Sequence, residues 1–194
     1  MQKLFKKNYN KIGILGGTFD PPHIGHLHIS KIALKKLKLD SLMWIITKHN
    51  PLKQKPYLST KTRIQLSKNI TKNQKKIFVK YLDDKIKSKN TFDLLKYLRK
   101  KNKKIKLFLL IGADNLIKFH KWKKWRKIPE LAKIVVLARP NYSINALNSI
   151  ALKKLKPRKL PQNAKQNTNI PTLRTILLEK KTQIAASRRN TKLN

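Results

Sequence analysis

The chain has 194 residues, with 48 lysines and arginines against 8 aspartates and glutamates, a formal net charge of +40 at pH 7. Such a charge pulls toward a nucleic-acid binder, but the lysines run from end to end among apolar residues and far outnumber the arginines that base readers rely on. A dedicated nucleic-acid role is therefore not expected, only weak RNA binding at low salt. Cysteine is absent, which excludes a disulfide framework, and the apolar runs Ile12 to Leu15 and Leu107 to Ile111 are too short for a secretory signal or a membrane span; a single-domain, soluble, cytoplasmic protein is expected.

In chain order, the first predicted element is a short strand, Ile12 to Leu15, running into Gly16-Gly17-Thr18-Phe19-Asp20-Pro21-Pro22-His23-Ile24-Gly25-His26. Strand, tight loop and helix start follow from the apolar run, the glycine pair and the prolines. Gly16 and Gly17 are expected to allow positive φ and close backbone approach, and the helix start to favour an anion. His23 and His26 share one face of the first turn, with Gly25 leaving space between them for a ligand. An isolated His-x-x-His pair reads first as surface polarity or as half a zinc site, whose further ligands would come from His28, His49, His120 or a carboxylate. The glycines and the preceding strand turn the reading toward phosphate, where imidazoles donate to charge building on a leaving oxygen.

The helix Ile24 to Leu37 follows, then a buried strand Leu42 to Thr47 ending in the loop Lys48-His49-Asn50-Pro51-Leu52-Lys53. Ser59 to Ile70 reads as a helix with Arg63 in its first turns, Ile77 to Val79 as a strand, Asp83 to Lys89 as a polar loop, and Asn90 to Leu98 as a helix whose first N–H groups, with Thr91, suit a carboxylate. Ile105 to Ile111 is a central strand, and Gly112-Ala113-Asp114 turns off its carboxyl end, where ligands bind in parallel sheets. Asp114 either accepts from ribose hydroxyls or caps a helix. Phe119, Trp122 and Trp125 recur every three residues, a core pattern from which one indole could leave to stack on a planar ring. Ile134 to Ala138 is another strand, Leu147 to Leu155 a helix, Pro157 to Pro171 a connection without a period, and Leu173 to Leu178 a last strand.

The run Gly16 to His26 resembles the signature of the nucleotidylyltransferase superfamily, and its Gly-Gly-Thr-Phe-Asp-Pro-Pro form resembles the nicotinate-nucleotide adenylyltransferases. Ile111-Gly112-Ala113-Asp114-Asn115-Leu116 with Phe119-His120-Lys121-Trp122 is similar to the same enzymes. The resemblance is firm from Ile12 to Pro140. It implies that His23 and His26 are catalytic and that Gly16, Gly17, Thr18, Phe19, Gly25 and the two histidines meet ATP. It further implies that Trp122 lies against the nicotinate ring, that Lys53 of an Asn-Pro-x-Lys element is on the mononucleotide side, and that Thr91 and Asp114 join it there. Asn90 and Leu94 depart from the family's tyrosine and threonine, and Asn141 from its glycine. A late hydroxyl-and-arginine element falls on Ile184 to Asn190, where Ser187 with Arg188 or Arg189 would hold the triphosphate, but two serines of the pattern are alanines here.

The expected fold is an α/β, Rossmann-like doubly wound parallel sheet of five or six strands with a small helical C-terminal part. The chain reads as one nucleotidylyltransferase domain over 1–194, with its core at 11–140 and its C-terminal part at 141–194. The implied reaction moves the adenylyl group of ATP to nicotinate mononucleotide, with Mg²⁺ arriving on the triphosphate and no metal site built by the protein. Alternatives are another phosphorylated acceptor, such as nicotinamide mononucleotide or phosphopantetheine, and a basic RNA-binding protein on the same fold. Homo-oligomer formation is left open.

Overall fold

The computed structural model describes residues 9–138, 149–155, 158–159 and 173–177. In order these form β1 (Lys11–Gly17), α1 (Ile24–Lys36), β2 (Ser41–Ile46), α2 (Thr60–Thr71), β3 (Ile77–Tyr81), α3 (Asp83–Ile86), α4 (Thr91–Lys101), β4 (Lys106–Gly112) and α5 (Ala113–Lys118). Two 3₁₀ turns follow, Phe119–Lys121 and Trp125–Lys127, then α6 (Ile128–Leu131), β5 (Lys133–Ala138), α7 (Ile150–Leu155), β6 (Arg158–Lys159) and β7 (Leu173–Leu177).

The strands make one sheet in the order β3-β2-β1-β4-β5-β7-β6, every pair parallel. This is the expected Rossmann-like doubly wound fold. The sheet has seven strands where five or six were expected, the addition being the two residues of β6, which lie inside the stretch read as a connection without a period. Two-residue strands carry no alternation that a sequence could display.

Strand residues alternate between two cores because successive side chains point to opposite faces. Ile12, Ile14, Met43, Ile45, Leu107, Leu109, Ile111, Ile134 and Val136 pack with Leu95 and Leu98 of α4, Leu116 of α5 and Phe119. Leu42, Trp44, Ile46, Phe108, Leu110, Val135 and Leu137 pack on the other face with Leu27 and Ala33 of α1 and Ile64 and Ile70 of α2. A sheet covered on both faces explains why β2 and β4 read as continuous apolar runs.

The winding reverses at β1, which pairs with β2 on one side (Leu15 with Trp44) and β4 on the other (Leu15 with Leu110). A crevice opens beyond the carboxyl ends of strands at such a reversal. No helix among the described residues is long and apolar enough to cross a membrane.

Candidate active site

β1 leads into α1 through residues 18–23. Neither glycine uses positive φ, contrary to expectation: both lie in the β1–β2 ladder, and the left-handed residue of the loop is Phe19, at φ 53°. Gly16 serves by the other property anticipated for it. A Cβ there would meet nothing within 4 Å, so the backbone stands open to a ligand.

The two histidines cap α1 for each other. His23 is the N-cap, and its Nδ1 accepts from the Gly25 N–H at 3.1 Å, while His26 Nδ1 accepts from the His23 N–H at 3.3 Å. Their ring centroids are 3.9 Å apart. An Nδ1 that accepts carries no proton, so in each neutral ring the proton sits on Nε2. The sequence led us to expect that Gly25 leaves space for a ligand, and the structure corrects this. That space belongs to the His23 ring, because a Cβ on residue 25 would lie 2.8 Å from Nδ1 and 2.9 Å from Cε1.

Phe19, expected among the ATP contacts, has its side chain 3 % exposed and turned inward. It stacks on buried Trp44 (centroids 4.9 Å, planes 23° apart) and supports His26 at 4.8 Å, with Trp44 edge-on to His26 at 5.9 Å. Trp44 Nε1 donates to Ser30 Oγ (2.8 Å), which donates to the His26 carbonyl (2.7 Å). His26 is thus held through ring and backbone by residues of β2 and α1.

One cleft gathers most of the remaining candidates. Gly16, Gly17 and Thr18 form one wall, and Asn50, Pro51, Leu52 and Lys53, after β2, a second. Lys89, Asn90 and Thr91 at the start of α4 face Asn115, Lys121, Trp122 and Lys123 from the segment after β4. Asn90, the N-cap of α4, makes no side-chain capping bond, so the first-turn N–H groups are not satisfied by that side chain. Trp122 leaves α5 altogether: it follows a 3₁₀ turn, whose three-residue period accounts for the spacing, and rests on fully buried Phe119 at 5.0 Å while lining the cleft. Asp114 is not a helix cap, since Gly112 is the N-cap of α5; its carboxylate lies 3.9 Å from Lys53 Nζ. The pair sets Lys53 at the rim, both groups half exposed, and contributes little to stability.

Sequence reading missed the supports of these walls. Buried Asp83 accepts from Thr47 Oγ1 and the Lys48 N–H, both at 2.7 Å, where a plain polar loop was expected. Asp20 accepts from the N–H groups of Tyr57 (2.5 Å) and Leu58 (2.9 Å). Asp93 accepts from Ser88 Oγ (2.6 Å) and Lys123 Nζ (3.0 Å), tying the α4 start to the Trp122 segment. Burial alone would raise the Asp93 carboxyl, but those hydrogen bonds outweigh it and hold it below the usual carboxylate range. Arg63 is buried in α2, on a stripe with Ser67 and Thr71. The one available signal was that stripe of polar residues four apart. Ser187, Arg188 and Arg189 lie outside the described residues, as do Arg139 to Asn141. Among the described residues no group of three or more His, Asp or Glu stands together as a metal site.

A glycine-opened strand end, a paired-imidazole helix start and a cleft at the sheet reversal define a nucleotide-binding transferase scaffold, and residues 14–181 match the cytidylyltransferase-like family model. A probable nicotinate-nucleotide adenylyltransferase of Pelagibacter ubique is 46 % identical over 140 residues, covering 72 % of this chain and 77 % of that protein. One from a Ruegeria species is 39 % identical over 150 residues, covering 77 % and 79 %. The chain therefore belongs to the nicotinate-nucleotide adenylyltransferase family. Among solved structures, Plasmodium falciparum nicotinic acid mononucleotide adenylyltransferase complexed with NaAD superposes with a TM-score of 0.68 at 20 % identity, over 90 % of this chain and 78 % of that one. The same protein complexed with APC gives 0.66 at 20 % identity, over 90 % and 77 %. At that identity the likeness bears on the fold.

Proposed function

We propose that this protein transfers the adenylyl group of ATP to nicotinate mononucleotide, forming nicotinate adenine dinucleotide and pyrophosphate, in the cytoplasm and as one domain over 1–194. The observation that carries the reading is that the open backbone at Gly16 to Thr18, which leads directly to the histidine pair, and the indole of Trp122 line one cleft. Triphosphate lies along the first, and the pyridine ring stacks on the second.

An oxygen of the mononucleotide phosphate attacks the α-phosphorus of ATP, and the bond to the bridging oxygen breaks as pyrophosphate leaves. The attacking oxygen is already ionised, so no enzyme base is needed. The protein supplies alignment and charge neutralisation. His23 and His26 donate from Nε2 to the triphosphate oxygens, where negative charge builds. Gly17, Thr18 and Gly25 shape that end, and Lys53, Thr91 and Asp114 serve the mononucleotide. Ser187 with Arg188 or Arg189 completes the triphosphate side. Asp20 and Asp83 accept from backbone N–H groups of the β2–α2 loop, and Mg²⁺ would be held by triphosphate oxygens and water, where it would supply neutralisation of phosphate charge.

The test is incubation of the purified protein with ATP, Mg²⁺ and either nicotinate or nicotinamide mononucleotide, with pyrophosphate followed and the dinucleotide identified by mass. Product from the acid form is expected. Pyrophosphate release with neither acceptor would overturn the reading.

A further inference from the structure

Arg63 is the most fully engaged polar side chain outside the reacting groups. It is 1 % exposed, and every N–H direction of its guanidinium meets an acceptor. Nε donates to the Leu58 carbonyl (3.0 Å), one terminal nitrogen to the carbonyls of Thr18 (2.5 Å) and Thr47 (2.8 Å), and the other to the Lys48 carbonyl (3.0 Å) and Thr60 Oγ1 (2.9 Å). A planar fork with five donors can hold such a set; a lysine ammonium, with three donors on one point, cannot.

The four carbonyls come from two loops. Thr18 belongs to the loop that leads to the histidines, while Thr47 and Lys48 open, and Leu58 closes, the loop between β2 and α2 that carries Lys53. Thr18 and Thr47 both line the cleft. The β1–β2 ladder reaches these loops through the Thr47 N–H, which donates to Gly17 O at 2.9 Å, and the guanidinium takes over from there. Carboxylates brace the arrangement from both sides, Asp20 on residues 57 and 58 and Asp83 on residues 47 and 48.

We propose that Arg63 is a positioning residue for adenylyl transfer: it fixes the separation between the loop that holds the triphosphate and the loop that holds the mononucleotide, so that the two phosphates meet in line. The inference rests on the adenylyltransferase reading and adds a residue that touches neither substrate. A helix anchor alone would affect folding. A spacer between two half-sites affects the step in which both reactants must be aligned, while each half-site keeps its own binding groups.

The experiment uses the full chain with Arg63→Lys, which retains the charge and loses the fork. Thermal melts establish folding, calorimetry gives the separate Kd values for ATP and for nicotinate mononucleotide, and steady-state kinetics gives kcat. Each Kd is expected to stay within about threefold of wild type while kcat falls by about 30- to 100-fold, the size associated with displacements on the order of 1 Å in a reacting pair. Unchanged kcat in the folded variant, or loss of both substrates' binding, would overturn the proposal. If Arg63→Lys does not fold, Asp20→Asn loosens only the brace at residues 57 and 58. It should show the same split at about 5- to 20-fold in kcat, and an unaltered kcat there would be equally damaging. Wild-type protein that makes no dinucleotide removes the underlying reading and this inference with it, whereas active wild type with equally active variants removes the role of Arg63 alone.

Discussion

Replacing Gly25 by alanine separates the geometry of the histidine pair from the stability of the fold. The added Cβ would lie 2.8 Å from His23 Nδ1, whereas ordinary contacts begin at 3.4 Å, so the ring must retreat by roughly 0.6 Å. The atoms that yield belong to a side chain, not to backbone, which keeps the energetic consequence small. Weakening the cap costs on the order of 1 kcal/mol, while alanine in place of glycine inside a helix recovers about 0.5–1 kcal/mol. The two nearly cancel, and Tm should move by less than about 4 °C. Catalysis has no such compensation. A displacement on this scale in a group that must meet a developing charge should lower kcat by about 10- to 100-fold. Pyrophosphate-release kinetics beside a melting curve reads both quantities. Wild-type kcat in Gly25→Ala, or a Tm fall above about 10 °C, would refute the account of why this position is glycine.

Three further outcomes are expected. His26→Ala should lose about 10²- to 10³-fold in kcat with a folded melting profile; full turnover in the folded variant would take His26 out of the mechanism. Trp122→Ala should raise KM for the mononucleotide by about 10- to 100-fold, from the stacking energy of a ring on an aromatic, and leave the Kd for ATP unchanged; an unmoved KM would return the indole to a purely structural role. Burial, a hydrogen bond to Asp84 and the neighbouring carboxylates push the Tyr81 hydroxyl up to about 12 from an ordinary value of 10.0. Because the folded state keeps this proton longer, its contribution to stability is full below pH 10 and is lost as pH rises through about 12. Phenolate absorbance should show one tyrosine ionising near pH 12 that disappears in Tyr81→Phe, and a titration identical in the two proteins would contradict it.

Local pattern was sufficient for some of these features. Apolar runs of strand length alternating with helical periods imply a parallel, doubly covered sheet, because only side chains buried on both faces dispense with alternation. The order of apolar residues, glycines, prolines and histidines implies a strand, a short loop and a helix start, which the chain forms as β1, residues 18–23 and α1. The indole of Trp122 was legible as a candidate by its resemblance, and the closeness of the His23 and His26 rings by their spacing, though their capping of α1 was not.

What required the folded molecule were relations between residues distant in sequence. Positive φ falls on Phe19 and not on the glycines, because its ring has to reach Trp44 beneath His26. Gly25 yields its space to an imidazole, a steric fact set by how the loop enters α1. Arg63 reads as a helix-face cation until Thr18, Thr47 and Leu58 are folded around it, and the roles of Asp20 and Asp83 likewise depend on backbone groups about 35 residues away. Neighbour-to-neighbour chemistry is written in the order of residues. Which buried donor meets which carbonyl is settled only when the sheet reverses at β1 and brings the loops of two strands to the same edge.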